Sequence, residues 1–240
     1  MAILTLGAGL QFSHAATEPT PMPASLTLPV VSEQFNDLAK WRPLAFPLAN
    51  DSQYNLTPEG YLRADSDSSV SALILEERFR PAEYPYLSWR WNIENVHPNG
   101  DAMRQEGDDF AMRVSVCFKF DPKKVSDNER RWFKMEKLVW GEYPPYRVLH
   151  YVFANRSDLD QRYLDCPYSD RARLVIQRAG AENQGQWFEE QVNIMDDYRA
   201  AFGEEPPEEA VISVMADGDN TEGRSTAYID WIKISGPDPS

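Results

Sequence analysis

The sequence contains little of what the common enzyme and metal motifs require. It has two cysteines and three histidines in 240 residues, with no Cys-x-x-Cys pair and no His-Glu-x-x-His run. It also lacks the Gly-x-Ser-x-Gly, P-loop and Gly-x-Gly-x-x-Gly patterns. The sequence therefore gives no support to the usual zinc, nucleophile and nucleotide chemistries.

Basic residues are also scarce, with 24 Lys and Arg against 38 Asp and Glu, a net charge of -14 and a pI near 4.7. Such a chain repels phosphate backbones and anionic lipids, so we expect no nucleic-acid partner. After Leu10, no stretch approaches ~18 consecutive apolar residues, so we expect no membrane insertion of the mature chain. Neutral ligands, such as a polysaccharide or a cell-envelope glycan, are compatible with this charge.

The first 29 residues differ in composition from the rest. An apolar run followed by a small-x-small pattern, Ser-His-Ala, predicts a signal peptide over residues 1–16, with an uncleaved anchor as the alternative. Residues 17–29 are Pro-rich and predict an extended tether. A single domain over 30–236, exported to the periplasm or the cell surface, is the resulting expectation.

The remaining sequence favours a mainly β fold, because short β-type runs alternate with turn residues. We expect a single β-sandwich, jelly-roll-like, with one or two short helices. In one run, alternation places Trp89 and Trp91 on the core face. Val125, Trp132, Met135 and Leu138 recur at helical spacing and predict an amphipathic helix after Ser126. A second, short helix is predicted over 196–202, ending at Gly203.

The run Gly107–Phe118, GDDFAMRVSVCF, is the central predicted strand. Alternation assigns its side chains to two faces. The core face takes Phe110, Met112, Val114, Val116 and Phe118, and the other face takes Asp109, Ala111, Arg113, Ser115 and Cys117.

Arg113 has two interpretations. It pairs internally with Asp109, or it joins Asp109 and Arg90 on a concave face that hydrogen-bonds sugar hydroxyls. Aromatic side chains would then provide stacking platforms on that face. The candidates for this role are Trp187, Trp140, Tyr143 and Tyr146.

A second acidic stretch lies near the C-terminus and contains Asp217, Asp219 and Asn220. Its carboxylate and amide oxygens suit a structural calcium ion. The alternative is an ordinary hairpin turn, because Asp-Gly and Asp-Asn are common there and the full EF-hand pattern is missing. Whether this stretch meets Asp109 in space is open at this point.

Export permits a disulfide between Cys117 and Cys166, but their spacing does not require one. The alternative is a pair of free thiols, one in a strand and one in a loop.

Several segments, taken together, resemble a known family. GDDFAMR, YVFAN, DDYRAAFGEEPP, SVMADGDNT and AYIDWIKI are similar to the bacterial family of domains of unknown function DUF3047, over about Phe35 to Ile234. The resemblance implies an exported bacterial protein with a sandwich fold, and the family has no established activity. The charged helix around Asn128 to Val139 departs from the family pattern.

The two ends of the chain resemble, more loosely, galactose-binding-like jelly rolls and carbohydrate-binding modules. Phe35 and Trp41 match the opening of such modules, and Asp230 matches an aspartate in their closing strand. This resemblance implies a polysaccharide ligand and makes Asp230 a candidate structural calcium ligand.

These observations predict an exported, non-catalytic carbohydrate-binding-like sandwich that binds a polysaccharide or another hydroxyl-rich ligand on a concave polar face. One alternative is a glycan-active hydrolase or lyase that uses paired carboxylates. Its candidate acids are Glu94, Asp101, Asp108, Asp109, Glu189 and Glu190, with His150 and Tyr151 considered for a lyase. The other alternative is an envelope assembly protein that presents the aromatic residues from Trp140 to Tyr146 to a partner.

Overall fold

The computed structural model describes residues 29–140 and 143–237, without the side chains of Val139 and Trp140. The predicted signal peptide and nearly all of the predicted tether lie outside these ranges. Two β-sheets face each other as a sandwich, with two α-helices at the periphery. No helix in the described ranges has the length and apolar character to cross a bilayer.

The first sheet has six strands in the order β11-β6-β13-β4-β3, with β1 paired to β13. All its pairs are antiparallel. The strands are β1 (Val31–Glu33), β3 (Gln53–Leu56), β4 (Leu62–Asp67), β6 (Tyr86–Ile93), β11 (Trp187–Asn193) and β13 (Arg224–Ser235).

The second sheet has seven strands in the order β2-β5-β12-β7-β8-β10-β9. Its pairs are antiparallel except for β8 and β10, which run parallel. The strands are β2 (Trp41–Ala45), β5 (Val70–Leu75), β7 (Arg113–Phe118), β8 (Arg147–Ala154), β9 (Tyr163–Cys166), β10 (Ser169–Ala179) and β12 (Ala210–Asp217).

The main core lies between the sheets and is rich in aromatic side chains. Trp89 and Trp91 of β6 are fully buried, as predicted, and meet edge to face with ring centroids 5.4 Å apart. Trp89 also lies 5.4 Å from Tyr151 of β8, which belongs to the opposite sheet. The period-two alternation of these strands thus identifies the core side of each sheet.

The predicted faces of the central strand are correct from Arg113 onward and wrong at Phe110 and at Ala111, which packs in the main core. Strand β7 begins at Arg113, and residues 108–112 are irregular, so the alternation does not extend back to Phe110. Met112 packs in the main core, whereas Phe110 joins a second cluster that includes Val152 and Leu174.

Helix α1 (Asp127–Trp140) begins as predicted, because Ser126 and Glu129 form a reciprocal capping box. Its predicted core face is wrong. Trp132, Met135 and Leu138 are 43%, 71% and 89% exposed, whereas Phe133 is buried and stacks on Phe120 at 3.8 Å.

Helix α2 (Ile194–Phe202) confirms the second predicted helix. The Asn193 side chain caps its start, and Gly203 ends it in the left-handed conformation with φ of 70°.

Two turn segments, at which a local pattern would favour a hairpin, connect different sheets instead. The segment Gly180–Gly185 joins β10 of the seven-stranded sheet to β11 of the six-stranded sheet. The segment Asp217–Gly223 joins β12 to β13 in the same way. Turn residues marked where the chain reverses, but they carry no information about which sheet receives the next strand.

The two cysteines are unbonded. Cys117 lies on β7 and Cys166 on β9, with strands β8 and β10 between them. Three strand spacings separate the two by roughly 14 Å, beyond the reach of a disulfide. Of the two interpretations, the structure supports free thiols.

Candidate functional site

A groove of about 450 Å³ lies on the outer face of the seven-stranded sheet. Its floor consists of outward-pointing side chains from β5, β12, β7, β8 and β10. These floor residues are Ala72, Ser213, Met215, Arg113, Cys117, Val148, His150 and Ala172.

Loops and strand ends form the walls of the groove. Phe46, Pro47 and Ala49 follow strand β2 on one side, and Pro144 and Pro145 precede strand β8 on another. The remaining wall comes from the β9–β10 connection and from the acidic stretch after β12. It contributes Tyr168, Ser169, Asp219 and Asn220.

One end of the groove holds a buried ionic cluster, which we define as Asp108, Arg113 and Asp217. Nε of Arg113 donates to Oδ1 of Asp217 at 3.2 Å, and Nη2 donates to Oδ2 of the same carboxylate. Nη2 also donates to the Asp108 carbonyl at 2.7 Å and lies 3.5 Å from Oδ2 of Asp108. The predicted pairing of Arg113 with Asp109 is therefore wrong, because Asp217 and Asp108 occupy the guanidinium.

Both carboxyl groups of the ionic cluster resist ionisation. Burial raises the pKa of Asp217 to about 7 despite the opposing effect of Arg113. Burial also raises the pKa of Asp108, again against the pull of Arg113. Since one guanidinium serves two carboxyls, the cluster retains a proton at a pH where separate aspartates would be ionised.

Asp108 carries the least satisfied polar atom of this cluster. Its side chain is 2% exposed, it lines the groove, and its Oδ1 atom has no hydrogen-bond partner among the described residues. Buried oxygens of this kind are normally paired, so Asp108 has an acceptor position that the described residues leave unfilled.

Asp109 makes different contacts from the predicted pairing with Arg113. Its carboxylate accepts hydrogen bonds from the Thr221 backbone at 2.7 Å, the Thr221 hydroxyl at 2.6 Å and the Asn220 backbone at 3.2 Å. The two acidic stretches therefore converge in space. Asp109 thus holds the connection Asp217–Gly223, which we call the wall segment, in place, and it takes no part in pairing with Arg113.

His150 lies on the groove floor, where its Nδ1 is 2.7 Å from the Ser115 hydroxyl. Burial lowers its pKa to about 3, so the imidazole is neutral at physiological pH. Its neighbour Tyr151 points into the core. The two residues considered for a lyase therefore lie on opposite faces of β8.

Arg90, Trp187 and Asp230 lie on the outer face of the six-stranded sheet, away from the groove. Arg90 Nη1 donates to Asp230 Oδ2 at 2.5 Å, and its guanidinium lies 4.7 Å over the Trp187 ring. Tyr61 packs against Trp187 with ring centroids 4.7 Å apart. The prediction that Arg90 shares a face with Arg113 is wrong, because the two residues belong to different sheets.

The remaining predicted platform residues lie beside helix α1. Tyr146 is half-buried, 6.2 Å from the Phe133 ring and 5.2 Å from the Arg147 guanidinium. Tyr143 packs against Phe120 at 5.1 Å. The side chain of Trp140 lies outside the described residues. Neither tyrosine lines the groove.

The four predicted calcium ligands are divided between the two sheets. Asp217 pairs with Arg113, and Asp230 pairs with Arg90. Asp219 and Asn220 line the groove, where the Asn220 amide donates to the Tyr168 hydroxyl. In the part of the chain that the structure describes, no group of three or more His, Cys, Asp or Glu side chains is arranged to hold a metal ion.

Residues 39–233, most of the sandwich, match the family described as "Protein of unknown function (DUF3047)". The chain belongs to the DUF3047 family. This finding confirms the resemblance carried by DDYRAAFGEEPP, which forms α2 and its exit, and by DGDNT, which forms part of the groove wall. No curated protein sequence matches the chain.

Solved structures with a similar fold are distant from this DUF3047 domain. They include a Crh5 transglycosylase in complex with NAG, at 9% identity and TM-score 0.41, over 90% of this chain and 87% of that chain. A winged bean acidic lectin complexed with methyl-α-D-galactose has 10% identity and TM-score 0.39, over 86% and 97%. A laminarinase from Flavobacterium sp. UMI-01 has 12% identity and TM-score 0.40, over 87% and 100%. These similarities are too remote to assign a ligand.

Sequence reasoning found part of the groove of this DUF3047 domain and missed the rest. Arg113, predicted as a ligand-binding residue, lines it, and so do Asp217, Asp219 and Asn220, which were predicted as calcium ligands. The apolar walls were missed, because proline and alanine in short loops give no sequence signal for a binding surface.

Proposed function

We propose that this DUF3047 protein is an exported, non-catalytic carbohydrate-binding β-sandwich, located in the periplasm or at the cell surface. In this proposal the groove on the seven-stranded sheet holds a polysaccharide segment or another hydroxyl-rich ligand. The location follows from the predicted signal peptide, and the binding site follows from the groove.

The observation that carries the proposal is Asp108, which lines the groove and whose Oδ1 has no hydrogen-bond partner in the described part of the chain. A sugar hydroxyl is a suitable partner, because it donates to a carboxylate and accepts from neighbouring donors. Nη2 of Arg113 contacts both the carbonyl and the Oδ2 atom of Asp108, so the carboxyl group is held in place before the ligand binds.

The groove walls suit the remaining surface of a sugar ring. Phe46 and Tyr168 are the aromatic residues that line the groove. The C–H face of a pyranose packs on such surfaces while its hydroxyls point to polar groups at the edge. The site is thus a polar end joined to an apolar trough, in place of the concave polar face with aromatic platforms predicted from the sequence.

Affinity retention on a panel of soluble and insoluble polysaccharides, cell-wall material included, tests this proposal. We expect one polysaccharide class to retain the protein and Asp108→Asn to weaken its retention about tenfold, the cost of one hydrogen bond to a charged group. Glu189→Gln is the matched control, since it makes the same carboxylate-to-amide change on the opposite sheet. Retention that Glu189→Gln abolishes and Asp108→Asn does not would contradict the assignment to the groove.

A glycan-active enzyme is the second candidate, and the raised pKa of Asp217 favours it. A carboxyl that stays protonated near pH 7 is the form that a general acid requires, and Asp108 lies on the same guanidinium. The candidate pair would then be Asp108 and Asp217, because Asp109 is occupied by the wall segment and Glu189 lies on the other sheet. Release of new reducing ends from the retained polysaccharide, lost in Asp217→Asn, would establish turnover. Unchanged polysaccharide after prolonged incubation would establish binding alone.

A further inference from the structure

Away from the ionic cluster, the groove is lined mainly by apolar side chains. Leu44, Phe46, Val70, Ala72, Val148 and Met215 all face it. Strand β7 extends this surface from Arg113 to Cys117, four residues and roughly 13 Å. Covering apolar surface of this kind is favourable only for a ligand that brings apolar atoms of its own.

The polar end of the groove restricts the charge of the ligand. Asp108, Asp217 and Asp219 line it beside the guanidinium of Arg113, and the other guanidinium that lines the groove, that of Arg171, lies over the Trp132 ring of helix α1. Because carboxyl groups outnumber cations there, a phosphate or a fatty-acid carboxylate would meet repulsion. A neutral head group whose hydroxyls donate to Asp108 Oδ1 meets none.

We infer that the ligand is a neutral glycoside that carries an alkyl or acyl substituent. Its sugar hydroxyls bind at Asp108, and its substituent lies along the trough between Met215 and Val148. This inference rests on the proposed function for the sugar, and it adds the apolar substituent as the second determinant of binding.

Calorimetric titration of the purified protein with matched methyl and octyl β-glycosides of glucose, galactose and N-acetylglucosamine tests the inference. The octyl compounds are used below their micelle concentration. For at least one sugar, we expect the octyl glycoside to bind more tightly than the methyl glycoside, by roughly fourfold for each methylene buried. Burial of only two or three of the additional methylenes gives about thirtyfold, and burial of more gives a larger factor. Octyl triethylene glycol, which has the chain without the sugar, should bind more weakly than that octyl glycoside.

Two near-isosteric variants and one control locate the effect. Val148→Thr and Met215→Gln place polar atoms in the trough and should reduce the advantage of the octyl chain about tenfold or more, without changing affinity for the methyl glycoside. Leu48→Ser removes a fully exposed apolar side chain that does not line the groove, and it should change neither affinity.

Three results would overturn the inference. Equal affinity for the methyl and octyl members of every pair would exclude the apolar substituent while leaving the proposed sugar binding intact. Equal binding of octyl glycoside and octyl triethylene glycol would exclude sugar recognition in the groove. Absence of binding by every octyl glycoside would also overturn it, and retention on the polysaccharide panel would still decide the proposed function separately.

Discussion

The residues of the ionic cluster show how one guanidinium organises two carboxyls in a buried site. Asp217 makes the bidentate contact with Arg113, and Nη2 of Arg113 also contacts the carbonyl and Oδ2 of Asp108. Oδ1 of Asp108 has no hydrogen-bond partner among the described residues. Buried ion pairs contribute little net stability, but removing one member leaves an uncompensated charge. The cluster therefore couples folding and ligand recognition at the level of single side chains.

Arg113→Met should destabilise the fold by about 3 to 5 kcal/mol, because Asp108 and Asp217 would stay buried without their counter-charge. Urea denaturation measures this loss. Arg90→Met is the matched control, since the Arg90 side chain is 31% exposed on the opposite sheet, and this substitution should cost about 1 kcal/mol or less. Equal effects of the two substitutions would contradict the account. Because substitution of Arg113 destabilises the fold, its effect on binding would be hard to interpret, and substitution of Asp108 is the better test of binding.

The raised pKa of Asp217 makes stability depend on pH. Its value is 3.8 in an unfolded chain and about 7 in the folded protein, so the folded state holds the proton more tightly. This contribution is fully present below pH 3.8 and is lost as pH rises through 7.

Between pH 4 and pH 8, the free energy of unfolding should therefore fall by on the order of 1 to 3 kcal/mol more in the natural protein than in Asp217→Asn. Urea titrations at several pH values measure both slopes. Parallel pH dependence in the two proteins would show that Asp217 titrates normally.

At the scale of elements, the wall segment after β12 depends on a residue that is distant in sequence. Asp109 precedes β7, yet its carboxylate receives three hydrogen bonds from Asn220 and Thr221. The same segment is packed closely, because a Cβ atom at Gly223 would lie 2.4 Å from Nδ1 of His97. The wall is thus a rigid part of the sandwich that presents Asp219 and Asn220 to the groove.

Asp109→Asn should destabilise the protein by about 2 to 4 kcal/mol, since the amide replaces a carboxylate that accepts charge-assisted bonds. Thr221→Val removes one of those bonds and should cost about 1 kcal/mol. Urea denaturation gives both values, and hydrogen exchange of the Asn220 and Thr221 amides should accelerate in Asp109→Asn. Asp165→Asn, at an 88% exposed side chain, is the control. Unaltered hydrogen exchange of the Asn220 and Thr221 amides in Asp109→Asn would contradict the conclusion that Asp109 holds the wall segment in place.

Elements were predictable from the sequence to the extent that their signals are local. The alternation around Trp89 and the Ser126 cap both identified real elements, and Gly203 ended its helix as expected. The core face of α1 was predicted wrongly because the helical spacing groups Trp132 with Met135 and Leu138, whereas the buried residue, Phe133, does not belong to that series. Which sheet β11 and β13 join is decided by packing across the whole sandwich, and a local sequence pattern carries no information about that packing.

For the candidate site the limit was sequence separation. Arg113 bonds to Asp217, 104 residues away, and no local rule prefers that partner over the nearby Asp109. The groove itself arises where seven strands and five loops meet, so its apolar lining becomes visible only in the assembled fold.

At the scale of the whole molecule, the sandwich is held together without a covalent cross-link. Both cysteines of the 240-residue sequence should react with a thiol reagent in denaturant, without prior reduction. The melting temperature should be the same with and without dithiothreitol, because there is no disulfide whose loss would cost about 2 to 5 kcal/mol. A fall in melting temperature on reduction would contradict the separation of Cys117 from Cys166.

The central claim concerns the whole sandwich: its ligand binds in the groove of the seven-stranded sheet and not on the opposite sheet. Cys117, half-buried on the groove floor, reports occupancy directly. The measurement is its rate of alkylation by N-ethylmaleimide, followed by mass spectrometry, with and without saturating oligosaccharide from the retained class. At a ligand concentration about nine times the dissociation constant, the account predicts about tenfold protection of Cys117, and only about twofold protection in Asp108→Asn, whose affinity is about tenfold weaker. An unchanged rate in the presence of calorimetrically saturating ligand would place the ligand elsewhere and contradict the account.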